Sequence, residues 1–177
     1  VVRLKGGDPF VFSRGGEEVS FLEEHGISVE IVPGITSGIA ASSYIGIPLT
    51  HRYGASSVTF VTGHETSEKQ EKSVDWRQLA SSSNSLVVYM GIRNIEYIVE
   101  ELIIGGMKKN TRCAVIQEAT LKNQKSLVTE LSELTVMIKK YNIKPPAIVL
   151  IGRIVDFQVK NTVTKLSSVN LQKIKKI

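Results

Sequence analysis

The sequence predicts an α/β fold with helices packed against a largely parallel sheet, and three observations carry that reading. Short apolar, β-branched runs alternate with amphipathic stretches along the chain, the pattern of strand–helix units. Of 177 residues, 42% are apolar and 22% charged, which excludes disordered and collagen-like classes. A Pro-, Gly- and Ser-rich stretch at 46–57 (GIPLTHRYGASS) breaks both periodicities. A domain connection is expected there.

In chain order, strands are expected at 1–4, 29–32, 57–62, 86–90, 114–117 and 147–151, where β-branched and apolar residues cluster. Helices are expected at 17–25, 36–45, 94–104 and 130–141. His25-Gly26 ends the first of them, because glycine accepts the left-handed cap conformation. An extra strand at 126–131 would run antiparallel, since too few residues separate it from 114–117 for a helical crossover. The run ETSEKQEKSV (65–74) reads as a surface loop.

Composition limits the function classes. A single cysteine, Cys113, excludes an intramolecular disulfide framework and fits a reducing compartment; it reads as a small buried hydrophobe. No Cys/His cluster has the spacing of a structural zinc site, and the apolar run at 147–152 is too short to cross a bilayer. The net charge of +5 divides into +8 for residues 139–177 and −3 for residues 1–138. A basic end fits an acidic partner or a solvated tail at 166–177. The basic end is almost free of aromatic residues, which argues against base stacking, so no nucleic-acid partner is expected.

Three clusters carry candidate chemistry. Lys5-Gly6-Gly7-Asp8-Pro9-Phe10 follows the first strand; its two glycines let backbone approach a ligand, and such loops bind ligands in α/β sheets. It is neither the dinucleotide turn nor a P-loop, and alone it equally fits a tight structural turn. Arg14-Gly15-Gly16-Glu17-Glu18 opens a helix, with acidic residues at the positive end of its dipole. Arg14 there is placed to grip a carboxylate. Val32-Pro33-Gly34-Ile35-Thr36-Ser37 joins a strand to a helix; Thr36 fits an N-cap, and the free amides of that turn equally suit a ligand. His51 and His64 read as structural.

VVRLKGGDPFVFSRGGEE, VPGITSGIAASSYIGIPLTHR, FVTGH, LVVYMGIRNI and AVIQEAT resemble, in order and spacing, the uroporphyrinogen-III C-methyltransferases of the tetrapyrrole (class III) S-adenosylmethionine-dependent methyltransferase family. The resemblance runs from Val1 to about Val155. It implies a two-domain fold with the cofactor, S-adenosylmethionine, in the cleft between the domains. On that pattern residues 1–46 end the first domain, 47–54 connect, 55–155 form the second and 156–177 are a basic tail. The family's first strand and loop are not in this sequence, so the chain is expected to be truncated at its N-terminus.

Carried over residue by residue, the resemblance implies cofactor contacts at Gly6, Gly7, Asp8, Val11, Thr36, Ser37, Met90, Ala119 and, more weakly, Ala147. It implies substrate contacts at Arg14, Glu17 and Arg52. Arg14 and Glu17 would also be catalytic, Arg14 as an electrostatic clamp, because guanidinium keeps its proton at working pH, and Glu17 as proton acceptor. Two departures stand out: Ser13 and Ala119 occupy positions that are usually glycine, and Ser13 would be strained if its φ were positive. The implied reaction is two successive C-methylations of uroporphyrinogen III to precorrin-2, on the route to sirohaem and cobalamin. A cytoplasmic (in a plant, plastid) homodimer without membrane contact is expected. Other readings use fewer of these residues: another class III methyltransferase, a basic interaction module built on the tail, and an inactive fragment.

Overall fold

The computed structural model describes residues 1–64 and 74–159. The expected surface loop at 65–74, save Val74, and the basic tail from residue 160 lie outside the described residues. Two helices come first, α1 (Gly15–Glu24) and α2 (Ser37–Tyr44). Five strands follow, β1 (Thr59–Thr62), β2 (Ser85–Tyr89), β3 (Arg112–Gln117), β4 (Lys125–Glu130) and β5 (Ala147–Gly152). They are interleaved with α3 (Trp76–Ser82), α4 (Ile95–Ile104) and α5 (Leu134–Lys140).

The sheet order is β1-β2-β5-β3-β4. Only β1 and β2 pair in parallel; β5 runs antiparallel to β2 and β3, and β4 antiparallel to β3. The expected largely parallel sheet is therefore corrected to a mixed one. The cause is β5, which enters between β2 and β3 in reverse, a placement that hydrophobic periodicity does not encode. Because β5 opposes both neighbours, β1, β2 and β3 run the same way, and their carboxyl ends emerge at one edge. The extra strand at 126–131 is present as β4, antiparallel as its short connection requires.

Both faces of the sheet are covered, which is why its central strands are continuously apolar. On one face Leu86, Val88, Val115, Val149 and Ile151 pack against Trp76, Ile98, Leu102, Leu134 and Ile138 of α3, α4 and α5. On the other, Val87, Tyr89, Ile116, Ile148 and Leu150 meet Ala41 of α2, with Ile45, Ile47 and Ile154. Leu150 is fully buried beneath α2. Leu150→Ala should cost about 2–5 kcal/mol in chemical denaturation, and a loss below 1 kcal/mol would mean that this face is loosely packed.

Two further expectations are corrected. Residues 1–4 and 29–32 pair with no strand among the described residues, and Val1, Val2, Leu4 and Val32 are exposed. A ladder needs a neighbour for its N–H and C=O groups; an apolar pattern reveals the strand-former but not whether its partner is at hand. Helix α3 was not expected. It is short and rich in serine, and its start is fixed by Asp75, whose carboxylate accepts the Gln78 N–H at 2.9 Å. Cys113 is fully buried, and burial pushes its thiol far above the ordinary range, so it is inert. Among the described residues, no helix is long and apolar enough to cross a membrane. None of their His, Cys, Asp and Glu clusters could hold a metal ion.

Candidate functional site

The common carboxyl edge of β1, β2 and β3 carries an unusual backbone. Met90 after β2, and Glu118 and Thr120 after β3, have φ of 53°, 49° and 72°. Phe12 and Arg14, just beyond the first glycine loop, have φ of 53° and 61°. Each such non-glycine residue stores about 1–3 kcal/mol, and strain of this kind collects at functional sites. Met90 is half exposed although Tyr89 beside it is buried. The strand ends are held tightly: the Gly63 N–H donates to Tyr89 O at 2.6 Å, and Asn94 Nδ2 donates to Gly63 O at 2.7 Å.

The Gly6-Gly7 loop and the Pro33-Gly34 turn lie against one another. A Cβ on Gly34 would collide with Gly7 O and stand 2.8 Å from Gly7 C and 3.2 Å from Asp8 Cα. Asp8 ties the pair: Oδ1 accepts the Phe10 N–H at 2.9 Å within its own loop, and Oδ2 accepts the Gly34 N–H at 3.1 Å across the gap. These backbone donors, Phe10 first and Gly34 second, hold the Asp8 carboxyl below its ordinary value. Gly7 has φ 83°, and a Cβ there would come into van der Waals contact with Ile35 O, Thr36 Cα and Ser37 N. At Gly6 a Cβ would meet nothing within 4 Å, so bare backbone faces open space there. Val11 is half-buried and packs on the α2 side of the sheet.

Thr36 and Ser37 open α2, and Thr36 joins the β2 strand end through a hydrogen bond between its hydroxyl and Tyr89 Oη, 2.7 Å long. Gly6, Gly7, Asp8, Thr36, Ser37 and Met90 are thus drawn to one end of the molecule. Ala119, between the strained Glu118 and Thr120, packs against the same side of the sheet as Tyr89. Ala147 sits at the same edge but turns its methyl to the α3–α4–α5 side. A ligand contact there would come from its main chain.

Arg14 caps α1 with left-handed backbone, and its Nε and Nη2 donate to Glu17 Oε2 at 2.9 and 2.6 Å. Both side chains are largely exposed. The ion pair raises Arg14 and lowers Glu17, which makes Glu17 a weaker base than an ordinary carboxylate. Ser13 is not among the positive-φ residues; Phe12 and Arg14 on either side carry that conformation, and the Ser13 hydroxyl donates to Pro9 O. Arg52 lies exposed in the turn between His51 and Ala55. His51 stacks on Phe157 with ring centroids 3.7 Å apart and accepts the Tyr53 N–H, a structural role.

A family model described as Tetrapyrrole (Corrin/Porphyrin) Methylases matches residues 1–135. The chain belongs to the tetrapyrrole methylases. Within this tetrapyrrole methylase family, it is 48% identical over 157 residues to a uroporphyrinogen-III C-methyltransferase of Synechocystis sp., covering 89% of this chain and 60% of the relative. It is also 48% identical over 162 residues to one from Bacillus subtilis, covering 90% and 62%. The chain thus spans about three-fifths of the length of these relatives. Among solved structures it resembles uroporphyrin-III C-methyltransferase from Thermus thermophilus complexed with S-adenosylhomocysteine, with a TM-score of 0.75 and 38% identity. That match covers 88% of this chain and 67% of the other.

Two links that hold this site together are not predicted from the sequence. Lys5 Nζ donates to Ser13 O and to Glu18 Oε2, the latter at 2.7 Å, and Arg3 adds a second bond to Glu18. Glu18, read only as a helix-start residue, therefore pins the glycine loop to α1. Tyr89 is the other. The contacts of both span many residues; the one available sequence signal was a lysine beside two glycines with a glutamate facing it from the next helix.

Proposed function

We propose that this chain carries S-adenosylmethionine-dependent C-methylation of uroporphyrinogen III, in two successive transfers that give precorrin-2 for sirohaem- and cobalamin-type tetrapyrroles. The observation that carries the reading is the convergence of the Gly6-Gly7-Asp8 loop, the Thr36-Ser37 turn and Met90 at one strand-end edge. Open space over Gly6 and the half-exposed Met90 suit a nucleoside ligand at that edge. The Thermus structure, similar in fold, is of a complex with S-adenosylhomocysteine. We read residues 1–46 as the end of a first domain, 47–54 as the connection, 55–155 as the second domain and 156–177 as a tail, in a cytoplasmic (or plastid) homodimer.

S-adenosylmethionine supplies a methyl group on a sulfonium, which passes to a nucleophilic pyrrole carbon as the carbon–sulfur bond breaks. The residues of this chain have little covalent work to do. Gly6, Gly7, Asp8, Thr36, Ser37, Met90 and Ala119 would bind and aim the donor so that the displacement is in line. Arg14 and Arg52 would hold carboxylate arms of the macrocycle. Glu17 orients the Arg14 guanidinium, and its lowered pKa argues against it as the group that takes the departing proton.

The reaction is tested by supplying S-adenosylmethionine and uroporphyrinogen III to the intact protein and measuring tetrapyrrole mass. A product gaining two methyl groups is expected; the lack of any methylated product would overturn the reading. Arg14→Ala should raise the KM for the tetrapyrrole several-fold while leaving S-adenosylhomocysteine affinity unchanged. If the two constants move together, Arg14 belongs to the cofactor side instead.

A further inference from the structure

Tyr89 ends β2 and is buried, while its neighbour Met90 is half exposed. A buried phenol needs partners for its hydroxyl, and both of these lie on the Thr36 turn. Tyr89 Oη is 2.7 Å from Thr36 Oγ1 and accepts the Gly38 N–H at 2.8 Å. The ring packs on Phe12, with centroids 4.8 Å apart, and on Phe60 at 6.1 Å. One side chain therefore touches the exit of the first glycine loop, the first turn of α2 and its own strand end. Gly38 fits this contact only as glycine, because a Cβ would collide with Tyr89 Oη and stand 2.6 Å from Val87 Cγ1.

The hydrogen bonds at the start of α2 are correspondingly unusual. An N-cap threonine normally accepts an amide of its own first turn; the Thr36 side chain makes no such bond. Its hydroxyl is committed to Tyr89, and Tyr89 takes the Gly38 amide in its place. The phenol thus acts as the cap of α2 from the end of β2. With its hydroxyl occupied and its side chain buried, Thr36 is left its main chain for any ligand contact.

We propose that Tyr89 is a positioning residue for S-adenosylmethionine: its phenol sets the separation between the first turn of α2 and the strand end that presents Met90. This rests on the functional reading above. Removing the oxygen alone keeps the ring packed between Phe12 and Phe60, so the fold should survive. The Gly38 N–H is then buried without an acceptor, and α2 is free to drift from the Met90 edge.

The test uses Tyr89→Phe, Thr36→Val and Thr36→Ser in the intact protein. The readouts are S-adenosylhomocysteine titration calorimetry, steady-state kinetics, thermal unfolding and amide exchange. Tyr89→Phe should raise the Kd and the KM for the methyl donor about tenfold, the scale of one orphaned buried hydrogen bond, with kcat within about threefold. Thr36→Val should do much the same, and the double variant should fall short of the product of the two effects. Thr36→Ser, which keeps the hydroxyl, should recover most of the affinity that Thr36→Val loses. Exchange at the Gly38 amide should accelerate in Tyr89→Phe without ligand. A Tyr89→Phe protein that loses melting temperature but binds normally makes the phenol merely structural and overturns the proposal. A folded wild type that binds no S-adenosylhomocysteine overturns the functional reading, and the proposal with it.

Discussion

Gly34→Ala is expected to lower S-adenosylhomocysteine affinity by on the order of tenfold to a hundredfold, while the sheet keeps its far-UV signal. The new methyl would enter the space of Gly7 O, with Gly7 C at 2.8 Å and Asp8 Cα at 3.2 Å. Every one of those neighbours is backbone, so no side chain can swing aside. Overpacking of this kind costs about 1–3 kcal/mol, and the cheapest relief is to separate the two loops. That separation breaks the Gly34 N–H to Asp8 Oδ2 bond and moves the Gly6-Gly7 backbone away from Thr36. The matched control is Gly16→Ala, where a Cβ meets nothing within 4 Å. Gly16 lies in α1, so alanine there should be neutral or slightly stabilising. Calorimetric titration of both variants decides the matter, and equal affinities would mean that the two loops need not touch for binding.

The sequence made some elements legible and left others unreadable for identifiable reasons. The strands β2, β3 and β5 are covered on both faces and are mostly apolar, so a run such as Ala147–Gly152 announces itself. Direction and order carry no such mark: nothing in the composition of β5 says that it inverts between β2 and β3. Residues 1–4 look like a strand for the same apolar reason, yet nothing pairs with them among the described residues. The glycine loops were visible because Gly7, at φ 83°, needs what only glycine gives cheaply. The positive φ of Met90 and Glu118 was not, since that conformation in a non-glycine residue is imposed by its surroundings. Arg14 and Glu17 were each singled out, but their ion pair, three residues apart on one turn, was not read from the sequence. Tyr89 and Thr36, 53 residues apart, could be joined only by the fold.

Asp8 should prove the most acid-sensitive element of the site. Its two oxygens accept from two main-chain donors on different loops, Phe10 and Gly34, a task that no neutral side chain of that length performs. Asp8→Asn retains one acceptor and turns an amide N–H₂ toward the other donor, so one contact becomes repulsive. Asp8→Ala loses both. Both variants should lose most S-adenosylhomocysteine affinity, while their melting temperatures stay closer to the wild type, because the carboxylate joins surface loops rather than core. The pH dependence follows from the direction of its shift. The Asp8 carboxyl is held below its ordinary 3.8 by those backbone donors, so its contribution is fully present above that value. It is lost as pH falls through the lower pKa of the docked state. The wild type should therefore shed loop docking in that acidic window, read as faster amide exchange at Gly34, and Asp8→Asn should show no step there. Glu17 and Glu18 are also lowered, by Arg14 and by Lys5 with Arg3. An acid step that persists unchanged in Asp8→Asn would transfer the linkage to those ion pairs and reduce Asp8 to a turn-former.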